Sequence, residues 1–132
     1  MKVCAKDFWD RAKEALRAAK HCLSVSEDAA ASRAYYAAFY AVSAHFALQG
    51  KTFSRHSAAE AAVHRDLVRQ GGWPEQLGAG YARLAQLRHR GDYGGILHVS
   101  KADAEESLGL AAAILRAVAD ANPDTFTGLE QG

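Results

Sequence analysis

The chain has little proline and little cysteine, two of each in 132 residues. Proline removes a backbone donor and breaks helices. Its scarcity leaves helix permitted almost everywhere, and the abundant alanine favours it. Cys4 and Cys22 fall on one expected helix, roughly 27 Å apart along its axis. A disulfide needs Cα atoms within about 7 Å, so these two thiols cannot pair, and unpaired thiols suit a reducing compartment. An excess of one charge is missing too: 16 Lys and Arg against 15 Asp and Glu leave a formal +1. A globally basic, nucleic-acid-coating surface is excluded, and any anion-binding surface must be local. There is no uncharged run of about 18 residues, so no membrane span is expected. The start, MKVCAKDFWDRAK, carries charges throughout and has no apolar core of a signal peptide. The expected location is the cytoplasm.

Motifs for metal or phosphate are missing as well. Six histidines are scattered over positions 21, 45, 56, 64, 89 and 98, with no H-E-x-x-H and no C-x-x-C. A zinc site would have to be assembled from remote ligands. Neither a G-x-x-x-x-G-K-[ST] nor a G-x-G-x-x-G loop occurs. No metal and no cofactor are expected.

What is present is a chain with 49% apolar residues and one domain's length, enough to bury a core without staples. Helical periodicity predicts five segments. The first runs from about Lys2 to Leu23, with Phe8, Ala12, Ala15, Ala19 and Leu23 as its buried stripe. Ser24-Val25-Ser26-Glu27 has the form of a capping box, and the second helix continues to about Gln49. It is apolar on opposite sides: Tyr35, Phe39, Val42 and Phe46 on one, Arg33, Tyr36, Ala37, Tyr40 and Ala44 on the other. Such a helix is central, packed on two neighbours or across a subunit interface. A third helix is expected from Ser54 to Gln70, a fourth from Trp73-Pro74 to near Arg90, and a fifth from Ser100 to Asn122-Pro123. The fold class is therefore all-α. Residues 1–122 form its single domain and residues 123–132 a loose tail.

The stretch Leu84–Tyr93, LAQLRHRGDY, carries the most information. At about 100° per residue, Leu77, Tyr81, Leu84 and Arg88 share one narrow sector. Arg83 and Arg90 point nearly the opposite way, toward solvent. A guanidinium on a core-facing stripe keeps its proton and needs a partner. Asp92 lies four residues on, with Tyr93 beside it, at the start of the glycine-rich GDYGGILHV loop. Two readings stay open on residue types alone. Arg88 and Asp92 close the helix end as an ion pair with Tyr93 plugging the core, or the three belong to a site.

SRAYYAAFYAVSAHFALQG, the S-R-H around His56 and LRHRGDYG resemble one group of the HEPN domains. The resemblance spans roughly Phe8 to Ala119 and is most specific in the R-x-Y-Y-A at Arg33–Ala37 and the R-x-x-x-D-Y at Arg88–Tyr93. It implies an antiparallel four- to five-helix up-and-down bundle, usually dimeric, in a superfamily with many metal-independent endoribonucleases. These are often toxins paired with a small nucleotidyltransferase antitoxin. Those ribonucleases carry R-x(4–6)-H, where arginine stabilises phosphate charge and histidine moves protons. Here five residues on from Arg88 stands Tyr93, and phenols titrate near 10, too high to shuttle protons well at neutral pH. Arg83 and His89 satisfy the spacing formally but lie about 120° apart on the helix. The resemblance thus implies Arg88, Asp92, Tyr93 and His56 as candidate catalytic residues. Arg33, Tyr36, Tyr40, His89 and Arg90 are candidates for binding RNA or a nucleotide. The alternative is a non-catalytic nucleotide-binding or structural dimeric module. In related pairs the nucleotidyltransferase silences its partner by adding nucleotides to a tyrosine near the motif, and Tyr93 is the candidate here.

Overall fold

Helix α2 (Glu27–Ala47) holds the molecule together. Along it Ala30, Ala31, Ala34, Ala37, Ala38, Ala41 and Ala44 are fully buried. Methyl side chains let neighbouring backbones approach closely, and α1 (Ala5–Cys22), α4 (Glu75–Tyr93) and α5 (Lys101–Ala121) all pack against it. The structure, a computed structural model, describes residues 4–130. It is all-α, and among the described residues there is no strand. The expected helix start at Lys2 lies outside them. No helix of the described residues is long and apolar enough to cross a membrane.

Several boundaries differ from expectation, each for a local reason. The cap of α2 is Ser26, whose Oγ accepts from the Ala29 N–H at 3.1 Å. Ser24 instead turns its hydroxyl to the His21 carbonyl at the end of α1. In α1 the fully buried positions are Trp9, Ala12, Ala15, Leu16 and Ala19, while Phe8 and Leu23 are only half-buried. The expected third helix is an α-helical turn pair, α3 (His56–Ala62), that widens into a π-helical stretch (Val63–Arg69). There the Gln70 N–H reaches back five residues to the Arg65 carbonyl. Gly78 lets α4 pack closely against this stretch, because a Cβ there would sit 2.9 Å from Val68 and 3.1 Å from His64.

The fourth helix runs three residues past Arg90, through Gly91, Asp92 and Tyr93. Gly91 does not stop it. A Cβ at Gly91 would lie 2.9 Å from the Asp28 carbonyl oxygen, so the glycine serves close approach of α4 to the first turn of α2. The helix ends where the Gly94 N–H donates to the Arg90 carbonyl at 2.8 Å. Asp28 also clasps the following loop: its Oδ1 accepts from the Val99 N–H at 2.7 Å and its Oδ2 from His98 Nδ1 at 2.6 Å. Burial raises the Asp28 pKa, but these donors outweigh it and leave the carboxyl below its ordinary value.

The tail is not loose over its described part, up to Glu130. Phe126 is 2% exposed and stacks on Trp9 with ring centroids 5.1 Å apart. The Thr127 carbonyl accepts from Trp9 Nε1 at 2.8 Å and from Lys13 Nζ at 3.0 Å. The expectation overlooked that Trp9, turned inward, needs both an apolar lid and an acceptor for its N–H. Truncating Phe126 removes that lid. Phe126→Ala is expected to cost about 3 kcal/mol, read as a lowered urea midpoint at unchanged slope; an unchanged midpoint would show that the tail does not dock in solution.

Candidate functional site

Where α2, α3 and α4 meet, the sequence places one arginine among phenols. Arg88 is on the penultimate turn of α4, and its side chain is 18% exposed. Its Nη2 donates to Tyr36 Oη at 3.2 Å. The guanidinium carbon lies 5.4, 5.5 and 5.7 Å from the ring centres of Tyr35, Tyr36 and Tyr93. Helix continuation through Gly91 puts Asp92 one turn on, with Oδ2 3.1 Å from Nε. That contact is an ion pair without hydrogen-bond alignment, so the buried Nε–H has no true acceptor. Burial works against the charge on Arg88, but the Tyr36 hydroxyl and the Asp92 carboxylate more than compensate. Of the structural reading of this turn the ion pair is present, whereas Tyr93 is no core plug, being 65% exposed.

His56 reaches the same place from the first residue of α3. Its Nδ1 shares a hydrogen bond of 2.9 Å with Tyr35 Oη, and its ring packs 4.6 Å from Phe39 and 5.6 Å from Tyr36. Burial, and then the Arg88 cation, hold its pKa below 6.5, so the ring is neutral at pH 7. Tyr35 is buried, and burial raises its pKa. Tyr81 lies edge-on to it, ring centres 6.0 Å apart. The Tyr81 hydroxyl is buried without a hydrogen-bond partner among the described residues, and burial drives its pKa far above the ordinary value. Both phenols stay protonated and offer hydroxyls, not charge.

The candidates divide clearly. Arg88, Asp92, Tyr93, His56 and Tyr36 are brought together. Arg33 joins them through Tyr36, its guanidinium 4.8 Å over that ring, and Tyr40 lies one turn further, 5.9 Å from Tyr36. His89 is exposed and packs on the Tyr93 ring at 5.1 Å. Arg90 is not part of the cluster: its Nη1 donates to Asp103 Oδ2 of α5 at 3.3 Å. Arg83 takes the other Asp103 oxygen at 3.2 Å and Glu106 at 3.3 Å. Both arginines were expected to face solvent, but α5 supplies carboxylates on that side of α4. The residue that sequence reasoning missed is Tyr35. It was read as core, and it is core, but its hydroxyl at the rim orients His56. The adjacent pair Tyr35-Tyr36 in R-x-Y-Y was the available signal, since neighbours on a helix diverge by about 100° and can grip one group from two sides. Among the described residues no three His, Cys, Asp or Glu side chains are grouped to hold a metal ion.

An α-helical bundle with an arginine held among tyrosines at the junction of two long helices and a short third is the class this fold and site define. A family model for the HEPN domain matches residues 5–121. A UPF0332 protein of Thermotoga maritima is 35% identical over 114 residues, which cover 85% of this chain and 86% of that relative. The chain belongs to the HEPN family.

The depressed His56 pKa has two measurable consequences. The unfolded chain takes up its proton near 6.5 while the folded one resists, so stability falls as pH drops below about 6.5; His45, also lowered by burial, acts in the same direction. Replacing Arg88 with Gln removes the cation facing His56. Its imidazole titration by NMR should then move up toward 6.5, and an unmoved midpoint would show that the two groups do not sense each other.

Proposed function

We propose that this HEPN protein acts on RNA, with the Arg88 cluster as its phosphodiester site. The observation that carries the reading is a partly exposed guanidinium and a neutral imidazole packed on the same Tyr35 and Tyr36 rings, with Nη1 making no hydrogen bond among the described residues. A guanidinium fork suits a phosphate, and a neutral histidine suits proton transfer. In the tautomer whose Nδ1–H donates to Tyr35 Oη, Nε2 of His56 carries the lone pair. It takes the proton of the ribose 2′-hydroxyl while that oxygen bonds to phosphorus. The bond from phosphorus to the 5′-oxygen breaks, and the leaving oxygen takes a proton from water. Arg88 neutralises the charge that builds on the phosphoryl oxygens. A second reading, binding without cleavage, draws on Tyr93 standing five residues after Arg88 where the ribonucleases have histidine.

Labelled RNA incubated with the protein in EDTA tests both. Cleavage should be present and should drop at least about a hundredfold in Arg88→Ala and in His56→Ala, with each variant still showing a cooperative melt. Binding without cleavage would favour the second reading, and neither would end the proposal.

The reading extends to partners. We place the protein as the toxin-like half of a pair with a small nucleotidyltransferase, and as a homodimer joined at the α4 end. Ile96 and Leu97 are exposed there, Ile96 by 93%, an apolar pair for a second copy to cover while leaving the Tyr93 hydroxyl free. The Tyr93 phenol is open to a modifying enzyme. Its oxygen would attack the α-phosphorus of ATP, pyrophosphate would leave and the phenolic proton would pass to solvent. The new phosphate would sit beside Arg88 and occupy it. Co-expression with a neighbouring nucleotidyltransferase should add one AMP at Tyr93 by mass spectrometry. An unmodified Tyr93, or a Tyr93→Phe protein that is still silenced, would refute this.

A further inference from the structure

Behind the Arg88 cluster lies a buried polar atom with no partner. Tyr81 is fully buried, and its hydroxyl makes no hydrogen bond among the described residues. A buried hydroxyl left unpaired costs about 1–3 kcal/mol, and phenylalanine would fill the same space without that cost. The hydroxyl that senses it belongs to Tyr35. The two rings stand edge-on, 6.0 Å between centres, and each hydroxyl shifts the other's titration without the pair being aligned as a hydrogen bond. Tyr35 is itself 2% exposed and shares a 2.9 Å hydrogen bond with His56 Nδ1. His56, Tyr35 and Tyr81 therefore stand in a row that runs from the site into the core.

A neutral imidazole has one N–H and one lone pair, and a phenol has one hydrogen and two lone pairs. If Tyr35 gives its hydrogen to Nδ1, then Nε2 of His56 carries the ring hydrogen and cannot act as a base. For Nδ1–H to donate instead, Tyr35 must place its own hydrogen elsewhere, and its burial leaves bulk water out of reach. We infer that Tyr81 is a positioning residue that accepts the Tyr35 hydrogen, so that His56 donates from Nδ1 and keeps its lone pair on Nε2. The inference rests on the reading of His56 as the base. Two charges favour this direction. The Arg88 cation acts on His56 and Tyr35, whereas the carboxylate of Glu60, one turn after His56 on α3, acts on Tyr35 and Tyr81. Hydroxyl dipoles turn their hydrogens away from a cation and toward a carboxylate. Glu60 in turn lies against His64, whose Nε2 is 3.5 Å from Oε2. No proton travels along the row. It selects a tautomer.

Histidine labelled with nitrogen-15 reports the tautomer in the full chain at neutral pH. The ring nitrogen that bears hydrogen has a pyrrole-like shift and the other a pyridine-like one, and the His56 signals are those lost in His56→Gln. In the unsubstituted protein Nδ1 should be the pyrrole-like nitrogen. Tyr81→Phe removes one oxygen and keeps the packing. It should move the hydrogen to Nε2 and lower kcat for RNA cleavage in EDTA about tenfold, with KM unchanged. Glu60→Gln, at a partly exposed position, should move the hydrogen part of the way, and it decides the matter if Tyr81→Phe does not melt cooperatively. Hydrogen already on Nε2 in the unsubstituted protein, or a tautomer indifferent to these variants, would overturn the inference. RNA cleavage that still needs Arg88 and His56 would then leave the wider reading standing. A tautomer that follows Tyr81 in a protein that cleaves no RNA would do the reverse, upholding the hydroxyl row and ending the role of His56 as a base.

Discussion

The rest of the structure depends on how closely other helices can come to α2. A helix lined with methyl groups leaves its neighbours only a thin layer to pack through, and dispersion and burial then act over short distances. The seven fully buried alanines of α2 set this spacing on several sides at once. Glycines on the partner helix extend it where even a methyl is too large. At Gly91 the constraint is the backbone of α2 itself, and at Gly78 it is the side chains of the π-helical stretch. The placement of Arg88 follows from this: α4 lies so near α2 that a long side chain directed inward meets Tyr35 and Tyr36 on the neighbouring helix.

Electrostatics then shapes what can happen at that junction. A guanidinium cannot lose its proton, so a half-buried position forces compensation by rings, a hydroxyl and one carboxylate. The compensation is incomplete, since Nε is buried without an aligned acceptor. Burial, and then the same cation, suppress protonation of His56. A permanently charged group and a neutral imidazole therefore pack on the same two rings, those of Tyr35 and Tyr36. Tyr81 and Tyr35, kept protonated by burial, line the inner side of this arrangement without adding charge to it.

Much of this was legible in the residues. The helical period brought Tyr81, Leu84 and Arg88 onto one stripe, and the central position of α2 followed from its lack of charge. The R-x-Y-Y-A and R-x-x-x-D-Y segments pointed to the family. What stayed hidden depended on partners remote in sequence. Gly91 reads as a helix stop until the Asp28 backbone is seen beside it. Arg83 and Arg90 read as solvated until α5 brings Asp103 and Glu106 to them. Trp9 displaced Phe8 from the core because Phe126 and the Thr127 carbonyl, more than a hundred residues away, complete its surroundings. The tail that holds it looked loose because two apolar residues in a short segment have no period to read. The π-helical stretch has no signature at all in a local window.

The clasp at Asp28 has a consequence for how this chain can vary. One carboxylate joins the first turn of α2 to His98 and Val99, and the same residue's backbone receives Gly91. The connection between α4 and α5 is therefore anchored at both ends; between them a Cβ at Gly94 would collide with the backbone oxygens of Arg90 and Leu97 and Gly95 has φ +63°, so only the exposed Ile96 and Leu97 are free to change. Substitutions confined to those two side chains leave the helices where they are. Sequence drift there can restyle the rim next to Arg88, changing what the site is shown to, without disturbing the register that places the arginine.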